Sequence, residues 1–234
     1  MKTAKKMWLF VIIILALFST WGIMNFHNFT NFFGVNRVDT QEKIVALTYD
    51  DGPNPPYTNQ LLDVLGRYKA KATFFAIGEN IAKYPNIVKL TEKSGSELAN
   101  HSYSHPDMLF KPDKFLRSEI EKTDFILQEL GIKHTIHFRP PWGRRFIGLP
   151  YIIYQQNKKL IMWDIDSQDY FDEHTPEVIA NRVIERIRPG AIVVMHDGGG
   201  DRSRTVIATE MIIKSLQPQG YEFKTVSELL AISQ

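Results

Sequence analysis

The chain has 234 residues, 44% of them hydrophobic and 12% aromatic, a composition that suits one globular domain with an appendage and excludes an intrinsically disordered protein. It has no cysteine, which excludes a disulfide framework and a thiolate metal site. The net charge of +2 comes from the N-terminus. Without the four basic residues and one acid of residues 1–40 the remainder stands at about −1, so the basic excess of a nucleic-acid-binding protein is missing.

The first segment, "MKTAKKMWLFVIIILALFSTWGIMNF", sets three lysines before a stretch free of charge from Met7 to Phe26. A bilayer-spanning helix needs about 20 such residues, and the lysines favour keeping that end in the cytoplasm. Residues 1–26 are therefore expected to be a signal anchor, held in the membrane by residues 7–26. A cleaved signal peptide is the competing reading, although "FSTWGIMNF" offers only a poor small-x-small cleavage site. Either reading exports the remainder of the chain. Residues 27–40 then read as a juxtamembrane spacer, and residues 41–234 as one extracytoplasmic domain.

From Lys43 onward, strand and helix patterns alternate. "KIVALTY" is β-branched and apolar, and "YTNQLLDVLGRYK" carries apolar residues at helical spacing. "KATFFAIG" reads as a second strand, "PNIVKLTEKSG" as a helix that starts at Pro85 and stops at Gly95, and "SELAN" as a short strand. "PDKFLRSEIEKTDFILQELG" is the longest helical pattern. "IHFR", "KLIMWDI" and "AIVVMH" read as further buried strands, with helices around 147–157 and 175–188. "RTVIATEMIIKSLQPQG" is a helix, "YEFKTV" a strand, and a short helix ends the chain. This alternation predicts a mostly parallel sheet covered by helices, either barrel or doubly wound.

In both architectures chemistry sits at the C-terminal ends of the strands, and the ionisable residues gather there. Asp50 and Asp51 follow "KIVALTY", His101 and His105 follow "SELAN", and Arg139 follows "IHF". Asp164, Asp166 and Asp169 follow "KLIMW", and His196 and Asp197 follow "AIVVM". Five strand ends bearing such groups point to an enzyme. His101 and His105, four apart, would share one face of a helical turn, a common way to hold a divalent metal. Two imidazoles need a third ligand, and one carboxylate of the Asp pair can supply it while the other takes a proton from water. Arg139 in "FRPPWG" could hold the free carboxylate ionised, and backbone N–H groups beyond Pro140 and Pro141, as at Trp142, could serve an oxyanion. His196 could act as a general acid, oriented by a carboxylate such as Asp169. "GGGDRSRT" lacks phosphate-loop spacing and reads as a flexible loop before a helix, and His134, His137 and His174 read as structural or exposed.

Five blocks in order, "TYDDGP" at 48–53, "HSYSH" at 101–105, "RPPWG" at 139–143, "DSQDY" at 166–170 and "VMH" at 194–196, resemble the polysaccharide deacetylases, the NodB-homology domain of carbohydrate esterase family 4. The resemblance covers residues 43–230 and implies an α/β fold, a distorted (β/α) barrel with fewer than eight parallel strands, as a single catalytic domain after the membrane segment. It implies Asp50 as catalytic base, Asp51, His101 and His105 as ligands of one divalent ion, Zn²⁺ first with Co²⁺, Ni²⁺ or Mn²⁺ as alternatives, and Arg139 as the residue that orients Asp50. Trp142 would give a backbone donor to the oxyanion and His196 the acid, tuned by Asp169. Tyr170 and Val194 would line the acetyl or sugar pocket, where the family more often has Trp and Leu. The implied activity is removal of N-acetyl groups from a GlcNAc-containing polysaccharide, such as peptidoglycan or chitin, and the chain itself is expected to be a monomer. O-deacetylation of xylan or another polysaccharide and a silent wall-binding module stand as alternatives.

Overall fold

A computed structural model describes residues 34–233. The expected anchor lies outside the described residues; among them, no helix is long and apolar enough to cross a membrane. Six strands form the sheet: β1 (Ile44–Asp50), β2 (Ala72–Ala76), β3 (Glu97–Asn100), β4 (Ile165–Asp166), β5 (Ile192–His196) and β6 (Glu222–Phe223). Five run parallel in the order β3-β2-β1-β5-β4, and β6 pairs in parallel with the first residues of β1. The covering helices are α1 (Tyr57–Arg67), α2 (Gly78–Lys83), α3 (Pro85–Lys93), α4 (Asp113–Glu129), α5 (Gly148–Gln155), α6 (Pro176–Ile184), α7 (Ser203–Leu216) and α8 (Val226–Leu230).

β1 is buried along its whole length, as a central parallel strand covered on both faces must be. Its side chains alternate. Val45, Leu47 and Tyr49 pack outward in the core shared with α1, α6 and α7, where the Tyr49 hydroxyl meets Thr209 Oγ1 at 2.9 Å. Ile44 and Ala46 pack in a second cluster with Phe75, Ile161 and Ile192, closed from below by Val226 and Leu229 of α8. That parity leaves Thr48 and Asp50 together on the second face toward the C-terminal end of the strand.

Beyond β3 the pairing continues through single bridges, Asn100 to Phe138 and Phe138 to Leu160. The chain then runs on into β4, which pairs with β5. Pairing thus passes all the way round, consistent with a distorted (β/α) barrel. "IHFR" and most of "KLIMWDI" are not the regular strands their composition suggests. The Arg139 guanidinium takes the carbonyls of Ile161 and Met162, acceptors that a continuous ladder would use. "YEFKTV" likewise pairs only over β6. Helix α2 has no counterpart among the expected elements: Gly78 closes "KATFFAIG" as a helix start, where a Cβ would lie 2.5 Å from the Tyr103 ring. Within the expected spacer, Val35 and Val38 are buried, and Val35 pairs with Ile161.

Candidate active site

The Asp pair sits where β1 ends. Asp50 is the last strand residue, and Asp51 turns into the left-handed region at φ +75°. The turn is tightly held: Asp197 and Gly198 N–H both donate to Asp50 O, and Asn80 donates to Asp51 O. Gly52 is required here, because a Cβ would lie 2.0 Å from the Asp197 carboxylate. His101 and His105 follow β3 on a loop rather than on the expected helical turn. Ser102 and His105 both have positive φ, at +69° and +54°, and Ser102 Oγ accepts from His105 N–H, so a tight loop brings the rings to 5.1 Å.

Asp51 Oδ1 lies 3.5 Å from His101 Nε2 and 3.2 Å from His105 Nε2, and it is buried with no hydrogen-bond partner among the described residues. One potential ligand atom from each of the three residues lies within 4.8 Å of the others. His101 Nδ1 faces Arg139 O at 2.8 Å. A carbonyl can only accept, so Nδ1 carries the proton and Nε2 turns its lone pair inward, as a metal-binding imidazole does. Burial lowers the His101 pKa against the pull of Asp50 and Asp51. Burial would raise Asp51, but His105 and His101 outweigh it and hold the carboxyl well below its ordinary range. These residues fit a divalent ion.

Asp50 is held from the other side. Arg139, fully buried, donates from Nη1 to Asp50 Oδ1 at 2.6 Å and to Thr48 Oγ1 at 2.7 Å. Its guanidinium lies 4.0 Å from the centre of the Phe75 ring, so packing and hydrogen bonds fix it together. Asp50 Oδ2 remains, 3.9 Å from His101 Nε2.

His196 closes β5. Its Nδ1 lies 2.7 Å from Asp169 Oδ1, and its N–H donates to Asp169 Oδ2, which also accepts from the Thr205 hydroxyl. Burial works against a charged His196, yet the bonded Asp169 carboxylate prevails and lifts its pKa to about 9. A cavity of about 410 Å³ unites these groups. Asp50, Asp51, His101, His105, Trp142, Tyr170, Val194 and His196 line it, while Arg139 and Asp169 stand buried behind. Tyr170 meets His196 edge-on at 5.6 Å and donates to Asp166 Oδ2. Trp142 adopts φ +52°, and the turn's hydrogen bonds run from Gly143 to Pro140 and from Arg144 to Pro141, neither using the Trp142 N–H.

Three cavity residues escaped the sequence reading: Gly143, Trp163 and Arg202. Trp163 adjoins the strand-end acids, and that position was the signal for it. Arg202 is buried and donates to the carbonyls of Gly198, Gly199 and Asp169, which pins the loop read as flexible; nothing in "GGGDRSRT" marks it. His137 is buried, and His134 pairs with Glu92, both away from the cavity.

A metal-competent triad sharing one cavity with a second carboxylate and a protonated imidazole defines a metal-dependent hydrolase. Comparison with known proteins narrows the class. The polysaccharide deacetylase family profile matches residues 37–152. A peptidoglycan-N-acetylglucosamine deacetylase of Bacillus cereus is 41% identical over 197 residues, 83% of this chain and 91% of that protein. The peptidoglycan-N-acetylmuramic acid deacetylase PdaC of Bacillus subtilis is 36% identical over 82% of this chain and 40% of its own length. The crystal structure of the Bc1960 peptidoglycan N-acetylglucosamine deacetylase superposes with a TM-score of 0.81 at 32% identity, covering 84% of this chain and 92% of that one. The chain belongs to the polysaccharide deacetylase family.

Proposed function

We propose that this enzyme hydrolyses the N-acetyl group of GlcNAc units in a cell-wall polysaccharide, with peptidoglycan as the substrate class and acetate as product. The observation that carries the reading is the buried Asp51 Oδ1, without a hydrogen bond among the described residues, facing two imidazole Nε2 atoms. Asp51, His101 and His105 would hold the ion; a carboxylate with two imidazoles suits Zn²⁺, with Co²⁺, Ni²⁺ or Mn²⁺ as alternatives. When bound, a divalent ion supplies Lewis acidity toward the acetyl carbonyl and makes water more acidic.

The chain's own residues do the rest. Asp50, its Oδ1 occupied by Arg139, presents Oδ2 to take a proton from the attacking water. The Trp142 N–H donates to the oxyanion that develops as water adds to the amide carbon. His196 is charged up to about pH 9 and gives its proton to the amine as the C–N bond breaks. Tyr170 and Val194 wall the acetyl group. Residues 41–234 form the catalytic domain, a distorted (β/α) barrel strapped by the segment around Val35 and Val38, and residues 1–26 anchor it outside the cytoplasm through spacer residues 27–40.

The test is mass spectrometry of peptidoglycan fragments, β-linked GlcNAc oligomers and acetylated xylan after incubation with the Zn²⁺- or Co²⁺-loaded chain. Loss of acetyl from the GlcNAc substrates is expected. Release from xylan alone would replace N- by O-deacetylation, and no release from any substrate would reduce the protein to a silent binding module.

A further inference from the structure

Thirteen large apolar side chains stand exposed among the described residues, and four of them fall in the short stretch from Phe146 to Tyr154. Ile147, Tyr151 and Tyr154 recur at i, i+4 and i+7, which places them on one stripe of α5, opposite the buried Ile152 and Ile153. Phe146 extends the stripe at its start and meets the ring of Phe110, 73% exposed, with centroids 4.9 Å apart. Single exposed apolar residues are ordinary; a contiguous run of them marks a docking surface. The charges that border it are balanced or basic. Asp107 pairs with Arg144, Asp113 pairs with Arg117, which also bonds Gln155, and Glu121 accepts from Gln156. Lys111 and Lys159 add exposed cations.

The chain enters the domain beside this helix. Val35 N–H donates to Leu160 O at 2.8 Å, and a Cβ on Gly34 would lie 3.5 Å from the Leu160 side chain. Leu160 in turn packs with Ile152 and Ile153 on the buried side of α5. Residues 27–33 span at most about 25 Å even when fully extended. A bilayer that holds residues 7–26 therefore lies within that distance of Gly34, with α5 next to the point of entry. We propose that Ile147, Tyr151 and Tyr154, extended by Phe146 and Phe110, dock on the head-group region of the bilayer that carries the anchor. Tyrosine suits that depth, with its ring toward the acyl chains and its hydroxyl among the head groups. Lipid phosphates meet no excess of acid along the border of the stripe. A short tether presents a surface at an effective concentration on the order of millimolar, so a weak intrinsic affinity is enough to keep the face docked. Docking replaces a domain that swings on its spacer with one held at a fixed tilt.

The inference rests on the membrane-anchor reading, and its test separates the two. The chain has no cysteine, so a single introduced one reports its own surroundings. The full chain is reconstituted into vesicles of phosphatidylethanolamine and phosphatidylglycerol with a fluorophore on Gln155→Cys or Lys159→Cys, both exposed beside the stripe. Ile207→Cys serves as the control, exposed on α7, a helix that packs on the other core cluster. Nitroxide-bearing lipid should quench the labels at 155 and 159, and aqueous iodide only the label at 207. Tyr151→Ser combined with Tyr154→Ser should return the first two labels to iodide, while flotation with the vesicles and acetate release from GlcNAc oligomers stay unchanged. Iodide reaching all three labels in a chain that floats overturns the docking and leaves the anchor standing. Lipid quenching that survives the double change overturns it too. Shielding of 155 and 159 from both quenchers would mean that protein covers the stripe, either residues 27–33 or a second copy, and the bilayer would be the wrong occupant. A chain that does not float with the vesicles overturns anchor and docking together.

Discussion

Strand β3 begins at Glu97 and ends at Asn100, and these few residues separate two buried polar clusters of opposite character. At the lower end, Glu97 accepts from the Thr73 hydroxyl and from the N–H and hydroxyl of Ser227, Thr73 Oγ1 accepts from Val226 N–H, and Thr225 and Glu228 complete a reciprocal capping box. The described donors and acceptors there satisfy one another. At the upper end, Asp51 Oδ1 and Asp197 Oδ1 are buried without a partner among the described residues, and Asp51, Ser102, His105 and Trp142 all adopt positive φ. A satisfied network lowers the energy of the fold; unsatisfied groups on strained backbone hold chemistry in reserve. Both clusters are polar and buried, so burial alone does not distinguish function from stability. Between these two clusters completeness of hydrogen bonding does, although an orphan atom alone does not mark a site: Gln156 Oε1, outside the cavity lining, is buried without a partner among the described residues too.

The sharpest way to break the contrast is at the upper end. His101→Ala should abolish metal uptake and turnover together, by about a thousandfold or more in kcat/KM, as metal analysis and acetate release would show. Asp50→Asn should lower kcat by about 10²–10⁴ while the ion stays bound, because Asp50 lies outside the triad. Loss of metal in Asp50→Asn would refute the division of labour between the two aspartates.

A subtler probe acts on Asp169. His196 has its pKa raised to about 9 by that carboxylate, so it is charged and able to donate below about 9 and loses the proton as pH rises through it. Asp169→Asn removes the largest of the raising causes, leaving the weaker pull of Asp50 and Asp51, and the alkaline limb of the kcat profile should move down toward the ordinary imidazole range. An unmoved limb would mean that another group sets it.

Legibility in the sequence followed the same divide. The C-terminal strand ends were readable because each acid or imidazole stood after an apolar run, and period-two alternation places Asp50 and Thr48 on one face. The loop geometry was not. Helical spacing suggested one face for His101 and His105, whereas left-handed residues and the Ser102 hydroxyl bring them together. "IHFR" and "KLIMWDI" have strand composition, but a buried guanidinium claims the backbone of the second, a contact between residues 22 and 23 positions apart that no local pattern encodes. Arg202 escaped for the same reason: its partners are carbonyls, and carbonyls have no sequence signature.

The lower end makes the complementary prediction. Glu97→Ala should destabilise the protein by about 1–3 kcal/mol, since it leaves buried hydroxyl and amide donors without their acceptor. Chemical denaturation would show the loss, and kcat in the remaining folded fraction should stay within about twofold.

Thr225→Ala is the mildest of these changes. It removes the side chain that caps Glu228 N–H at the start of α8, a loss of about 1 kcal/mol for such caps. Helix α8 closes the second core cluster through Val226 and Leu229, beneath Ile44 and Ala46, at the far end of β1 from Asp50. If β1 is the rigid element that its burial on both faces implies, a loosened cap at one end should leave Asp50 in place at the other. The expected result is a small drop in melting temperature with metal affinity and kcat/KM unchanged. A fall in metal affinity alongside the drop would show that the two ends are coupled through β1, and the contrast between a stabilising floor and a reactive mouth would have to give way to a single cooperative unit.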